Sequence, residues 1–201
     1  MGVHCKREID CNGRDSVPRR GPTSYRMHDS DMVFERLALK EGSVFLDMGC
    51  GPGEYAFHAA RCVGSTGIVF ALDSNIHMLN EIDEECAVSG FTNIKTINSD
   101  ITETLPFEDN SVDFCFISMS LHCINLKERG ADVFKEVWRI LKPSGQVAVL
   151  ECKKVEADFG PSLRSRISPE EIKTVVAPLG FREDLYIDLE GNYLIRFTKQ
   201  K

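Results

Sequence analysis

The chain predicts a doubly wound α/β domain: a seven-stranded, mostly parallel sheet with a C-terminal β-hairpin. Three observations carry this expectation. Short apolar runs alternate with segments of helical period from about residue 30 to residue 152, a glycine cluster closes the first run, and two strand-like runs joined through Glu190-Gly191-Asn192 end the chain. Strands that alternate with helices are joined by right-handed crossovers, which place the strands parallel and the helices on the sheet faces.

From Ser30 onward, Val33, Phe34, Leu37 and Ala38 recur at helical spacing behind a Ser-Asp cap, and Glu41-Gly42 closes this helix. Residues 44–48 read as a short apolar strand, followed by a helix over 55–63. A second strand spans 67–73, and the helix over 75–88 sets Ile76, Leu79, Ile82 and Cys86 on one face before Gly90 stops it. Residues 93–98 and 112–118 supply the third and fourth strands. The helix over 127–141 buries Val133, Phe134, Val137, Trp138 and Leu141, and Lys142-Pro143-Ser144-Gly145 then turns the chain into a fifth strand ending near Glu151. Ser168, Pro169 at the first helical position and Glu171 three residues on form a capping box, with Ile172, Val175, Val176 and Leu179 as the apolar stripe before Gly180. Residues 181–188 and 193–199 pair as the hairpin.

The 201 residues are 42% hydrophobic and 27% charged, which suits one globular domain and excludes a disordered or collagen-like chain. Residues 1–24 lack apolar periodicity and are expected to be a mobile segment ahead of a single domain over 25–201. That segment carries a net +2, leaving the remainder at -9 within a total of -7. An acidic chain makes a poor nucleic-acid binder, because binding there rests on a basic face. No apolar run approaches the roughly 20 residues of a membrane helix, and the charged N-terminus lacks a signal-peptide core. A cytoplasmic protein is expected, with a homodimer left open. The eight cysteines include no Cys-x-x-Cys pair, so free thiols and no metal site are expected.

In an open parallel sheet, ligands bind beyond the carboxyl ends of the strands. The loop after the first strand is Asp47-Met48-Gly49-Cys50-Gly51-Pro52-Gly53, whose alternate glycines let a ligand approach the backbone closely. Gly51 to Ala56 also satisfies a loose dinucleotide-binding pattern with Asp73 at the required distance, so the glycines alone leave a nicotinamide-type cofactor open. Asp47, Asp73 and Asp100 end the first three strands. Three carboxylates suit a cationic, amino-bearing ligand with a ribose diol better than a pyrophosphate, which they repel.

With these features in view, the chain resembles the class I S-adenosylmethionine-dependent methyltransferases, in particular small members related to ubiquinone and menaquinone biosynthesis methyltransferases. The matching stretches are VFLDMGCGPGEY at 44–55, VFALDSN at 69–75, NSDITETLPFEDNSVDFCFISMSLH at 98–122 and RILKPSGQVAVLE at 139–151. The resemblance implies S-adenosylmethionine as cofactor on a Rossmann-like fold. It implies that Gly49, Cys50, Gly51 and Gly53 admit its methionine part with Asp47 near the amino group, and that Asp73, beside Ser74, accepts the ribose hydroxyls. Asp100 and Ile101 would then hold the adenine, and Ser118 and Met119 would face the sulfonium.

Methyl transfer from a sulfonium is an in-line displacement, so alignment is the protein's main contribution. An acceptor that arrives protonated also needs a base, and His122, after the fourth strand, is the candidate. Lys153 and Lys154 stand where they would draw in an anionic acceptor, Tyr25 and His28 suit a lid, and residues 152–167, with Arg164 and Arg166, fall where larger relatives select their substrates. The expected activity is methylation of a small-molecule acceptor. The alternatives are a catalytically silent cofactor-binding sensor or partner subunit, a nucleotide-linked oxidoreductase, methylation of a protein, and arsenite methylation through Cys123 and Cys152.

Overall fold

The computed structural model describes residues 23–158 and 160–200. The mobile segment expected over residues 1–24 therefore lies outside the described residues, except for Thr23 and Ser24. The chain divides into two compact units, the first running to Asn98 and the second beginning at Ser99.

In the first unit, α1 (Ser30–Leu37) is capped by Asp29, whose carboxylate accepts the Met32 amide. This helix ends at Ala38, in left-handed conformation, earlier than the Glu41-Gly42 stop that the sequence suggests. The Gly42 amide instead donates to Val63 O, so this glycine serves the entry to β1. β1 (Val44–Met48), β2 (Ile68–Asp73) and β3 (Ile94–Asn98) pair in parallel, with Asp47 opposite Ala71 and Asp73 opposite Asn98. α2 (Glu54–Val63) and α3 (Ile76–Ser89) are the crossovers, and α3 closes on a left-handed Gly90 as its pattern predicts. Asn93 Nδ2 donates to Ala60 O and Gly64 O, satisfying carbonyls that the end of α2 leaves open.

In the second unit, β4 (Val112–Ser118) pairs in parallel with β5 (Leu141–Cys152), and α4 (Leu126–Ile140) joins them. Pairing begins at Val112 with Leu141 and resumes at Phe114 with Gln146. The predicted Lys142–Gly145 turn is thus a bulge inside the strand rather than a lead-in to it, and Ser144 takes the positive φ of 65° there. α5 (Pro169–Val176) carries both bonds of the capping box. It stops earlier than the stripe through Leu179 suggests, because Pro178 converts residues 177–179 to a tighter 3-10 turn. β6 (Phe181–Leu189) and β7 (Asn192–Lys199) form the hairpin, and β7 pairs antiparallel with β5. Lys199, largely buried, donates to Trp138 O and Leu141 O and so closes the end of α4.

The strand order is β3-β2-β1-β4-β5-β7-β6, the seven-stranded, mostly parallel, doubly wound sheet with a C-terminal hairpin that the sequence predicts. Phe45, Leu46 and Val69 in the first unit, and Phe116, Val147 and Val149 in the second, have no exposed surface, as strands covered on both faces require. Among the described residues no helix is long and apolar enough to cross a membrane.

Candidate functional site

The candidate residues of the first unit meet where β1 and β2 end. Gly49, Gly51 and Gly53 all take positive φ, at 74°, 51° and 81°, which only glycine adopts cheaply. The amides of Gly49 and Cys50 both donate to Leu72 O, tying the loop to the end of β2. A Cβ on Gly53 would meet Ile82 at 2.8 Å, whereas one on Gly51 would meet nothing within 4 Å. Gly53 therefore serves packing against α3, while Gly51 leaves open space above the loop.

Asp73 holds this loop. Its Oδ2 accepts the Gly51 amide at 2.9 Å and its Oδ1 accepts the Asn75 amide at 2.8 Å, leaving a second acceptor position on each oxygen. The carbonyls of Asp73 and Ser74 both receive Asn98 Nδ2 at 3.1 Å, a tie from β3 that sequence reasoning missed. Asp47 is fully buried, and neither of its carboxylate oxygens makes a well-formed hydrogen bond, the Ala56 amide of α2 acting on it only as a minor influence. Burial, with the Asp73 carboxylate adding to it, pushes Asp47 up from the ordinary 3.8 to about 8. A buried carboxylate without a donor is costly unless something cationic or donor-rich sits beside it. Cys50 is buried in the loop and its thiol is pushed well up by burial, so it is no nucleophile.

Tyr25 and His28 pack against α2. Tyr25 is buried, with its hydroxyl 2.8 Å from His58 Nδ1 and its ring edge-on to Tyr55. The Tyr55 hydroxyl lies 3.2 Å from His28 Nε2, and burial lowers His28 to about 4. Glu54, itself buried, accepts Arg26 at 3.0 Å and also the Thr23 hydroxyl. The aromatic and charged partners on the first turns of α2 thus make this segment part of the first unit's core. Of these, sequence reasoning passed over Glu54, Tyr55 and His58.

In the second unit, Asp100 is exposed and its Oδ1 accepts both the amide and the hydroxyl of Thr102 at 2.8 Å, which holds its carboxyl below the usual value. Ile101 sits within this turn, half-buried. Ser118 ends β4 almost buried, and Met119 follows at a φ of 50°, a conformation that side chains other than glycine rarely adopt. The Met119 amide donates to Leu150 O and its sulfur lies 3.7 Å from Cys152 Sγ.

His122 is oriented by a residue the sequence marked only as the end of a strand. Glu151, with no exposed surface, accepts His122 Nδ1 at 2.8 Å through one oxygen and the amides of Leu121 and His122 at 2.9 and 3.3 Å through the other. With Nδ1–H donating to a carboxylate, Nε2 is the ring nitrogen left to accept a proton. The available signal was a charged residue at the end of the apolar run 147–150, which must find a donor wherever it is buried.

His122 also lines a cavity of about 790 Å³, within the range of small-molecule sites. Lys154, Arg164 and Arg166 line it too. Both lysines proposed from sequence are ion-paired: Lys153 with Asp188 at 2.5 Å and Lys154 with Glu171 at 2.7 Å. Thiol chemistry has little support, since burial raises both Cys123 and Cys152 above the ordinary thiol value. Cys50, Cys86, Cys115, Cys123 and Cys152 are free, as expected, but Cys62 is disulfide-bonded. It lies half-exposed on α2. Among the described residues no three His, Cys, Asp or Glu side chains are grouped to hold a metal.

Comparison with known proteins extends this picture. The chain is 37% identical over 119 residues to a demethylmenaquinone methyltransferase of Staphylococcus aureus, covering 59% of the chain and 47% of that protein. It is 30% identical over 135 residues to the demethylmenaquinone methyltransferase of Bacillus subtilis, covering 66% of the chain and 56% of that protein. It thus spans about half the length of these curated relatives. The crystal structure of a SAM-dependent methyltransferase from Aquifex aeolicus superposes with a TM-score of 0.80 at 28% identity, over 89% of this chain and 93% of that one. A model of the ubiE/COQ5 methyltransferase family matches residues 23–161, and the chain belongs to that family.

Proposed function

We propose that this chain transfers a methyl group from S-adenosylmethionine to a small-molecule acceptor by in-line displacement. The observation that carries the reading is Asp47, a buried carboxylate with no well-formed hydrogen bond, beside a glycine loop that leaves open space over Gly51. An α-ammonium group satisfies such a carboxylate, and Asp73 retains acceptor capacity for a ribose diol. Family membership supports the same cofactor. When bound, S-adenosylmethionine supplies a methyl already activated on a sulfonium.

In this reading the backbone of Gly49, Cys50, Gly51 and Gly53 admits the methionine part, and Asp47 holds its ammonium. Asp73 with Ser74 takes the ribose. Asp100 and Ile101 take the adenine, and Ser118 with the strained Met119 faces the reacting centre. His122 Nε2 accepts the proton of an acceptor that arrives protonated, and Glu151 fixes its ring. The reading includes a cytoplasmic location, and the net charge of -7 disfavours a nucleic-acid substrate.

The test is release of S-adenosylhomocysteine across a panel of phenolic, amine and thiol acceptors. His122→Ala should lower turnover at least tenfold and leave cofactor affinity unchanged. Binding of the cofactor without turnover on any acceptor would instead support a silent binding protein.

A further inference from the structure

We propose that the cavity of the second unit is a pocket for an organic oxyanion, so that the acceptor is a small molecule bearing a carboxylate or phosphate group. The identity of this ligand as the methyl acceptor rests on the reading above; its binding does not.

The charge around the cavity is at odds with the rest of the chain. Lys127, Lys154, Arg164 and Arg166 line it against the single carboxylate of Glu171, in a protein of net charge -7. Glu171 is already shared between Lys154 at 2.7 Å and the cap of α5. Lys127 and Arg164 have no ion-pair partner among the described residues. Arg166 is almost fully buried and fixed by bonds to Pro161 O, Lys153 O and Val155 O at 2.9 to 3.0 Å, so its positive charge is carried on a rigid support. A concave surface with several cations and one shared anion focuses a positive potential.

Two further features point the same way. Asn125, Leu126 and Lys127, at the start of the 15-residue α4, line the cavity, and the Asn125 side chain makes no capping bond. The Glu128 and Arg129 amides donate to Asn125 O, which leaves those of Leu126 and Lys127 as donors beside the cations. Ile124, Ile167 and Val175 supply apolar wall, which suits an organic body rather than a bare inorganic ion. With His122 on the same wall, one ligand can place its oxyanion against the cations and present a protonated nucleophile to Nε2.

The experiment is a fluorescence titration with 1-anilinonaphthalene-8-sulfonate, an amphiphilic organic anion, beside its uncharged parent N-phenyl-1-naphthylamine. Displacement by 4-hydroxybenzoate, phenyl phosphate and neutral 4-hydroxybenzamide follows, with the Lys127→Ala/Arg164→Ala double variant in parallel. Both substituted residues are exposed, and the melting temperature reports that the fold is kept. The proposal expects the anionic probe to bind at least tenfold more tightly than the neutral one. It also expects one or both anionic competitors to outdo the amide tenfold, and this preference to vanish in the double variant. The stronger of the two distinguishes a carboxylate from a phosphate ligand. Equal displacement by the amide, no displacement, or an unchanged double variant overturns it, as does displacement by a single-stranded oligonucleotide alone. A parallel titration with S-adenosylmethionine separates the two ideas. Anion preference without cofactor binding keeps the pocket and removes the methyl-transfer reading, whereas cofactor binding without anion preference does the reverse.

Discussion

At the scale of single residues, the two buried carboxylates are treated in opposite ways. Glu151 is satisfied by three donors, whereas Asp47 has no well-formed bond and only the weak influence of the Ala56 amide. Asp47 therefore keeps its proton in the free protein until about pH 8, well above its ordinary 3.8. The folded state then holds a proton the unfolded chain has lost, so this group's contribution to stability falls as pH rises from about 4 to about 8 and levels off above it. Uptake of an ammonium beside Asp47 should expel that proton. Affinity for S-adenosylmethionine is then expected to rise about tenfold per pH unit below about pH 8, and calorimetry in buffers of different ionisation enthalpy should show a proton released at neutral pH. A flat pH profile with no released proton would contradict this account of Asp47. A second expectation concerns Glu151→Gln, which keeps the shape but not the charge beside His122. It should shift the pH dependence of turnover while leaving cofactor affinity intact, and an unmoved profile would reduce Glu151 to a structural role. The pairing itself was not legible in the sequence, because its partners stand 29 residues apart and only the ends of β4 and β5 bring them together.

At the scale of elements, local chemistry was legible wherever one residue type has one use. The Ser168 box, the left-handed Gly90 and the positive-φ glycines after β1 all occur where the pattern places them. Ser168→Ala should cost about 1 kcal/mol and lower the melting temperature by roughly 2–4 °C, and an unchanged melting curve would remove the cap from the stability account. Gly67→Ala should cost more. Its Cβ would lie 2.6 Å from the Val63 carbonyl oxygen, a backbone atom that cannot turn aside, so overpacking of about 1–3 kcal/mol is expected. The misreadings share a cause: periodicity reports which face is buried but not where the backbone departs from it. Ala38 ends α1 early, Pro178 tightens the end of α5, and the Lys142–Gly145 turn is absorbed into β5 as a bulge.

At the scale of the whole molecule, the fold was legible because four sequence blocks stand in the order of one family, and the family model spans residues 23–161. The acceptor was not legible, since its pocket is assembled from residues between His122 and Val175 that form no contiguous motif. Ligation should register globally: a ligand that binds only the folded chain adds about 2.7 kcal/mol at one hundred times its Kd, read as a concentration-dependent melting temperature. The central claim, that Asp47, the glycine loop and Asp73 serve S-adenosylmethionine, is tested most directly by calorimetric titration. S-adenosylmethionine, S-adenosylhomocysteine and NAD would be titrated into the chain and into Asp73→Ala. The account predicts dissociation constants on the order of micromolar for the first two, loss of at least tenfold in the variant, and no heat from NAD. Binding of NAD alone, or silence from all three, would contradict it.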